Sequence, residues 1–280
     1  MFYSPLRYPG GKNKISEFIR KIVRGNNLEG GVYIEPYAGG ASVALSLLIE
    51  GKVSRIIIND FDRSIYAFWY CILYKTEDFC RKIRKTSVTV ATWFEQRKIQ
   101  NNKEKEDLFD LGFSTFFLNR TNRSGIISGG PIGGSKQAGE WKINARFNKR
   151  ELIHRIEEIA KHKKNIRLYN LDAVKLIKKI QKDLSKDTLI YFDPPYYVKG
   201  KKLYVNYYTH RDHVLVSETI KKISEPKWIV SYDNVKEIVD LYKKYNKQVY
   251  DLNYSVINGT IGKEVMFFSK NLKQINFSRK

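Results

Sequence analysis

Cysteine is nearly absent: Cys71 and Cys80 are the only two in 280 residues, and they form no CxxC pair. Both read as reduced, buried thiols. Histidine is almost as scarce, with four copies. No His/Cys/Asp cluster has ligand spacing, so no metal is expected. No apolar run approaches the roughly 20 residues of a membrane span. The first residues also lack a basic segment followed by an apolar one, and a cytoplasmic location is the expectation. There is no internal repeat and no low-complexity tract.

Positive charge is what the chain has in excess. Lys and Arg number 51 against 29 Asp and Glu, a formal net charge of +22, and such a surplus favours polyanions. Aromatic residues make up 14% of the chain, which argues against a merely basic, solvated tail. Nucleic acid is the leading partner, although a basic proteome would supply part of the same charge. His210 and His213 then read as surface or DNA-facing side chains. The hydrophobic content of 42% suffices for one large domain or for a core domain carrying an insertion.

Short β-rich runs occur at Val32 to Pro36, Val53 to Asp60, Asn165 to Tyr169, Thr188 to Asp193, Lys227 to Tyr232, Lys247 to Leu252 and Val265 to Phe268. Between them apolar residues recur at helical spacing over Ala41 to Glu50, Ala173 to Lys182, Asp212 to Ile223 and Val235 to Tyr245. This alternation predicts an α/β fold, with seven strands in an open, mostly parallel sheet covered by helices on both faces. No long helix separates the last two runs, so an antiparallel edge pair is expected there.

The alternation breaks between Phe61 and Arg150, where aromatic-rich helical segments precede a glycine-dense stretch. From Ser114 to Arg150 there are seven Lys/Arg, one acidic residue (Glu140) and six of the 18 glycines. An inserted domain over 62–150 is expected, with 1–61 and 151–280 forming the main domain. Glycine admits close backbone approach, and Arg suits bidentate contact with guanine edges or phosphates. A flexible surface loop is the competing reading.

The run Thr188 to Phe192 ends in Asp193-Pro194-Pro195-Tyr196. A carboxylate and a proline carbonyl can together accept both protons of one amino group, while a tyrosine face stacks on the ring that carries it. Such a device suits methylation of an exocyclic amine. Three other strand ends carry acids. The first leads into Glu35-Pro36-Tyr37-Ala38-Gly39-Gly40-Ala41-Ser42, where glycine lets main-chain N–H groups approach a ligand carboxylate and Glu35 can hold an ammonium. This is not GxGxxG, so dinucleotide binding is disfavoured. Asp60 can accept the hydroxyls of a ribose, or serve as a cap. Asp172 can meet an adenine amine, or act as a helix N-cap.

Together with Arg7-Tyr8-Pro9-Gly10-Gly11-Lys12, Phe117-Leu118-Asn119-Arg120 with Gly125, and Asn258-Gly259, these motifs resemble the Dam-type (alpha group) DNA adenine-N6 methyltransferases. In that family a target-recognition domain, mainly helical with a hairpin loop, interrupts a Rossmann-like S-adenosylmethionine-dependent domain. The resemblance implies S-adenosyl-L-methionine as cofactor, with Tyr8, Lys12, Glu35, Ala38, Gly39, Gly40, Asp60, Asp172 and Asp193 around it. Asp193, Pro194 and Tyr196 would act on a flipped adenine in double-stranded DNA. Arg120, Arg123 and Ser124 match the DNA-probing hairpin, with Lys136, Lys142, Arg146 and Lys199 expected mainly on phosphates. The chain departs from the pattern at Tyr8, where tryptophan is frequent, and at Ala41, which replaces the loop's second glycine. Arg123, Ser124 and the Gly129 to Gly134 run also differ, so the recognition sequence does not carry over. A monomer is the default expectation. Restriction-modification, phage and housekeeping settings all stay open.

Three alternatives compete. An RNA or free-base amine methyltransferase would use the same tetrapeptide, but the insertion counts against it. A silent DNA-binding protein would have a damaged cofactor loop or lack Asp193. A nicotinamide dehydrogenase would need a different glycine spacing. Cytosine-C5 chemistry is excluded because neither cysteine sits in a nucleophile motif.

Overall fold

Seven apolar runs assemble into one sheet in the order β3-β2-β1-β4-β5-β7-β6. The strands are β1 (Val32–Glu35), β2 (Arg55–Asn59), β3 (Ile166–Tyr169), β4 (Thr188–Phe192), β5 (Lys227–Asp233), β6 (Asn246–Asn253) and β7 (Ile261–Phe268). The first five run parallel, and β7 lies antiparallel to both β5 and β6. This is an open, mostly parallel, Rossmann-like sheet of an α/β protein. The structure is a computed structural model that describes residues 3–7, 12–198, 208–253 and 261–276.

The strand order turns back at β1, which pairs β2 on one side and β4 on the other. All five residues of β4 are buried, as expected for a central parallel strand covered on both faces. Ile34, Ile190, Phe192, Val230 and Phe267 share one core with Leu176 and Ile177 of α8 (Ala173–Ile180) and with Val216 and Ile220 of α9 (His210–Lys221). Two other helices belong to this unit, α1 (Lys12–Gly25) and α2 (Ser42–Ile49), and Ser16 and Ser46 share a buried hydroxyl contact of 2.9 Å. The short α10 (Lys236–Leu241) completes it.

The helical unit comprises α3 (Arg63–Tyr74), α4 (Thr76–Lys85), α5 (Val90–Asn101), α6 (Leu108–Thr121) and α7 (Lys149–Lys161). Its centre is aromatic. Phe68 and Phe116 stack with centroids 6.1 Å apart, and Phe79 and Phe147 meet Phe116 edge-on at 5.6 and 5.4 Å. Helix α6 is buried almost all round, which explains its lack of a polar face. Asp107 caps its start by accepting from Phe109 N and Asp110 N.

The division of the chain differs from the expected one at both ends of the insertion. Chain contacts group residues 1–9 and 61–164 in one unit and 10–60 and 165–280 in the other. The expected return at 151 falls inside α7, whose Leu152, Ile153, Ile156 and Ile159 are buried. The expected start of the main domain at residue 1 fails because residues 3–7 are tied to the helical unit. Asn119 accepts from Arg7 N at 2.6 Å and donates to Arg7 O at 2.8 Å, and Arg155 reaches Ser4 O at 3.1 Å.

The histidine reading also needs correction. His210 is exposed, but His213 is fully buried, with Nδ1 3.1 Å from the Tyr232 hydroxyl. Position 213 falls on the inward face of α9, and burial there fixes its neutral form. Both cysteines are free and buried, with thiols pushed up by desolvation to about 12 for Cys71 and about 11 for Cys80. Among the described residues no helix is long and apolar enough to cross a membrane, and no cluster could hold a metal.

A Cβ at Gly112 would lie 2.5 Å from Ala67 O and 2.6 Å from Cys71 Sγ, so α3 and α6 would have to part. Gly112→Ala is expected to cost about 1–3 kcal/mol in a denaturant titration. His213 is held down to about 4, chiefly by burial and against the pull of Asp233 and Asp212, while an unfolded histidine titrates near 6.5. Between those values the unfolded chain binds the extra proton, so this residue makes stability fall as pH drops from about 6.5 towards 4. Urea midpoints of wild type and His213→Gln across that range are expected to converge as pH falls.

Candidate active site

Every parallel strand delivers an acid near its carboxyl end: Glu35 closing β1, Asp60 after β2, Asp172 after β3, Asp193 after β4 and Asp233 closing β5. Ligands of open α/β sheets bind beyond these ends, beside the place where strand order reverses. In a chain of net charge +22 this acidic rim stands out. Its charge suits a cationic ligand and opposes a phosphate.

The β1 end is built by backbone. Gly39 and Ala41 adopt left-handed φ values of 48° and 46°, which turn the chain sharply from β1 into α2. Ala41 therefore occupies a conformation that glycine adopts more readily, a physical reason for glycine at this place in similar loops. Glu35 is 5% exposed, and its Oε1 accepts from Ala44 N and from the Tyr33 hydroxyl, each at 3.2 Å. Asp60 Oδ2 accepts from Gly39 N at 2.9 Å, so the second strand end is tied to the glycine turn of the first. Asn59 extends the tie by donating to Pro36 O at 2.8 Å and Leu171 O at 2.9 Å and accepting from Leu171 N at 2.9 Å. Glu35, Ala38, Gly39, Asp60 and Asp172 are thus brought to adjoining loops. Asp172 caps α8 through one oxygen, accepting from Val174 N and Lys175 N, so the capping alternative holds at least for that oxygen.

The β4 end stands next to β1 through the parallel pairs Tyr33↔Leu189 and Ile34↔Ile190. Asp193 therefore emerges beside the Glu35 loop. Its Oδ1 accepts from Ser231 Oγ at 2.9 Å, and Ser231 contacts the Tyr191 hydroxyl at 2.9 Å. The following turn is pinned further on: Tyr197 N and Val198 N donate to Asp233, and the Tyr196 hydroxyl donates to Glu264. Burial, reinforced by Glu35 for Tyr33, by Asp193 for Tyr191 and by Glu264 for Tyr250, holds these phenols well above their usual range. They remain protonated: Tyr33 donates to Glu35 and Tyr250 to Glu264, while Tyr191 contacts Ser231, which in turn donates to Asp193.

Ser231, Asp233 and Glu264 were not foreseen. Each had one signal in the sequence: a polar residue inside, or closing, an otherwise apolar strand run. Tyr37 and Tyr208 add an aromatic pair with hydroxyls 3.1 Å apart. Tyr8, Gly10, Lys199, Asn258 and Gly259 lie outside the described residues, and of Lys12 only its place at the start of α1 is described.

In the helical unit the basic residues fall into two groups. Arg123, Lys136 and Arg146 are exposed, and their cationic groups have no hydrogen-bond partner among the described residues. Arg120 instead donates its Nε to Arg146 O at 2.7 Å, and Lys142 caps Gln137 O at 2.7 Å and Gly139 O at 3.0 Å. Burial, with Arg7 and Arg155 nearby, lowers Arg120 to about 10. Ser124 has a left-handed φ of 54° and sits between Arg123 and the buried Gly125, whose Cβ would strike Arg7 O at 2.6 Å. Asn122 fixes the loop by donating to Ile126 O and Ile127 O at 2.8 and 2.9 Å.

The chain is 23% identical over 220 residues to the Type II methyltransferase M.MjaIII of Methanocaldococcus jannaschii, covering 74% of this chain and 73% of that protein. Among solved structures, the rRNA methyltransferase aviRa from Streptomyces viridochromogenes superposes with a TM-score of 0.38 at 10% identity, over 95% of this chain and 87% of that one. That superposition is too loose to weigh in the assignment. The sequence model of the D12 class N6 adenine-specific DNA methyltransferases matches residues 8–256. With most of its length inside that match, the chain belongs to the D12 class N6 adenine-specific DNA methyltransferase family.

Proposed function

We propose that the protein transfers a methyl group from S-adenosyl-L-methionine to the N6 amine of an adenine flipped out of double-stranded DNA. The acidic rim of the parallel sheet carries this reading, because it pairs a cation-binding edge with the Asp193-Pro194-Pro195-Tyr196 turn on the neighbouring strand. S-adenosyl-L-methionine bears both an ammonium and a sulfonium, and when bound it supplies an electrophilic methyl group. Glu35 would hold the ammonium, the main chain of Ala38 to Gly40 the carboxylate, Asp60 the ribose hydroxyls and Asp172 the adenine. Tyr8 and Lys12 are assigned to the same site from their motif.

On the substrate side, the N6 lone pair is delocalised into the ring and is a weak nucleophile. Asp193 and the Pro194 carbonyl accept the two amino protons, which favours a pyramidal and more reactive nitrogen. Alignment of the amine then supplies much of the acceleration. As positive charge develops on nitrogen, the Asp193 carboxylate, oriented by Ser231, stabilises it. The methylated nitrogen is acidic and releases its proton afterwards, so no strong base is needed. Tyr196 stacks on the extrahelical base and offsets part of the few kcal/mol that flipping costs.

In the helical unit Arg123 is the foremost candidate for reading a base, since its guanidinium is exposed with no hydrogen-bond partner among the described residues. Ser124 accompanies it. Lys136 and Arg146 would meet phosphates, as would Lys199, whereas Arg120 and Lys142 first hold their own loop in shape. The designation of the relative as a Type II methyltransferase supports an enzyme working beside a restriction endonuclease; a cytoplasmic location and a monomeric state are proposed with it.

Methyl incorporation into genomic DNA, followed by single-molecule mapping of modified adenines, tests the whole reading; RNA labelled in preference to DNA would defeat it. Asp193→Ala is expected to lower methyl transfer by roughly 100- to 1,000-fold or more while duplex binding, measured by anisotropy, persists. Arg123→Ala is expected to relax or shift the mapped site with unchanged cofactor affinity. A uniform weakening across all sequences would make Arg123 a phosphate contact instead.

A further inference from the structure

Asp233 of β5 and Glu264 of β7 are direct cross-strand partners in antiparallel register, 7% and 2% exposed. Directly opposed side chains share a face, and two acids so placed destabilise a sheet unless donors compensate them. The donors come from the turn that follows β4. Asp233 accepts the main-chain N–H of Tyr197 at 2.8 Å and of Val198 at 2.9 Å. Glu264 accepts the Tyr196 hydroxyl at 2.6 Å through Oε1 and the Tyr250 hydroxyl at 2.6 Å through Oε2. Tyr250 is in turn the cross-strand partner of Glu264 on β6. Two acids on adjacent strands therefore grip one short turn, and Tyr250 of a third strand holds Glu264 from the other side.

We infer that the Asp233–Glu264 pair is a positioning device that fixes the ring of Tyr196 for stacking on the target adenine, an assignment that rests on the function proposed above. Stacking by itself needs only an aromatic face, and phenylalanine would provide one. The hydroxyl adds a second point of attachment at the far end of the ring, in addition to the backbone. With Tyr197 and Val198 held by Asp233, both ends of the Tyr196 side chain are tied to the sheet, and ring rotation is restrained before substrate arrives. The geometry of a bound base is then set in advance, which is where alignment contributes to rate. Glu264 touches neither base nor cofactor in this scheme and acts through Tyr196.

The test is a double-mutant cycle in the full-length protein with Tyr196→Phe and Glu264→Gln. Glutamine keeps the size of glutamate but offers a single acceptor oxygen, so it cannot receive both phenols in the present geometry. Each single variant is expected to lower kcat on genomic DNA about 10- to 100-fold, with the dissociation constant for S-adenosyl-L-methionine unchanged. The double variant is expected to be no slower than the slower single one. Tyr250→Phe removes the other donor to Glu264 and serves as a control for sheet integrity; it is expected to lower Tm without matching the loss in kcat. The inference is overturned if Glu264→Gln turns over like wild type, if the two losses multiply, or if Tyr250→Phe reproduces them. If Glu264→Gln does not fold, Tyr196→Phe decides alone, and wild-type turnover by it overturns the assignment. Wild-type protein inert towards DNA would instead defeat the underlying function.

Discussion

The pairing of β1 with β4 is the constraint on which the rest of the site depends. These strands are 156 residues apart at the aligned pair Ile34↔Ile190, yet they lie side by side because the chain builds β2 and β3 outward and then returns. One consequence is that the Glu35 loop and the Asp193 turn open from neighbouring strands. A second is that the intervening chain can leave the sheet after Asp60, form a helical unit and return at residue 165 without disturbing the register. Hydrogen-bond register, with the apolar burial of β4 behind it, thus sets the spacing between the Glu35 loop and the Asp193 turn.

Concentrating acids on one rim has a desolvation cost, and the structure offsets it locally. Buried carboxylates are tolerable only when hydrogen-bonded, and those at the rim receive main-chain N–H groups, a serine hydroxyl or phenols. The phenols are themselves kept protonated by burial beside the acids, so donors and acceptors reinforce one another. In the helical unit the same problem is solved with amides. Asn119 and Asn122 satisfy main-chain groups of the segments around them, including Arg7, and leave Arg123 exposed at the surface.

The strands and the acids that end them were legible in the sequence because period, apolar content and turn residues are local properties. All seven runs became strands, and the final pair is antiparallel as the missing connecting helix implied. Less legible was the extent of the insertion. Helix α7 has an amphipathic pattern that suits either unit, and only the aromatic core of the helical unit decided which face it covers. Residues 3–7 carry no signal of their partner, since their ties to Asn119 and Arg155 join positions more than 100 residues apart.

His213 shows the same limit. A histidine on a charged helix reads as exposed until the helix is docked, after which its position on the inward face removes it from water. By itself the sequence determined the elements, the acidic strand ends, the proline-rich turn and the excess of positive charge, all of which follow from neighbouring residues. Tertiary structure alone decided that Ser231 orients Asp193, that Asp233 and Glu264 grip the turn after β4, and that Arg123 is left exposed while Arg120 and Lys142 are occupied. The reason is physical: such pairings depend on strand register and burial, which bring together side chains that no local pattern relates.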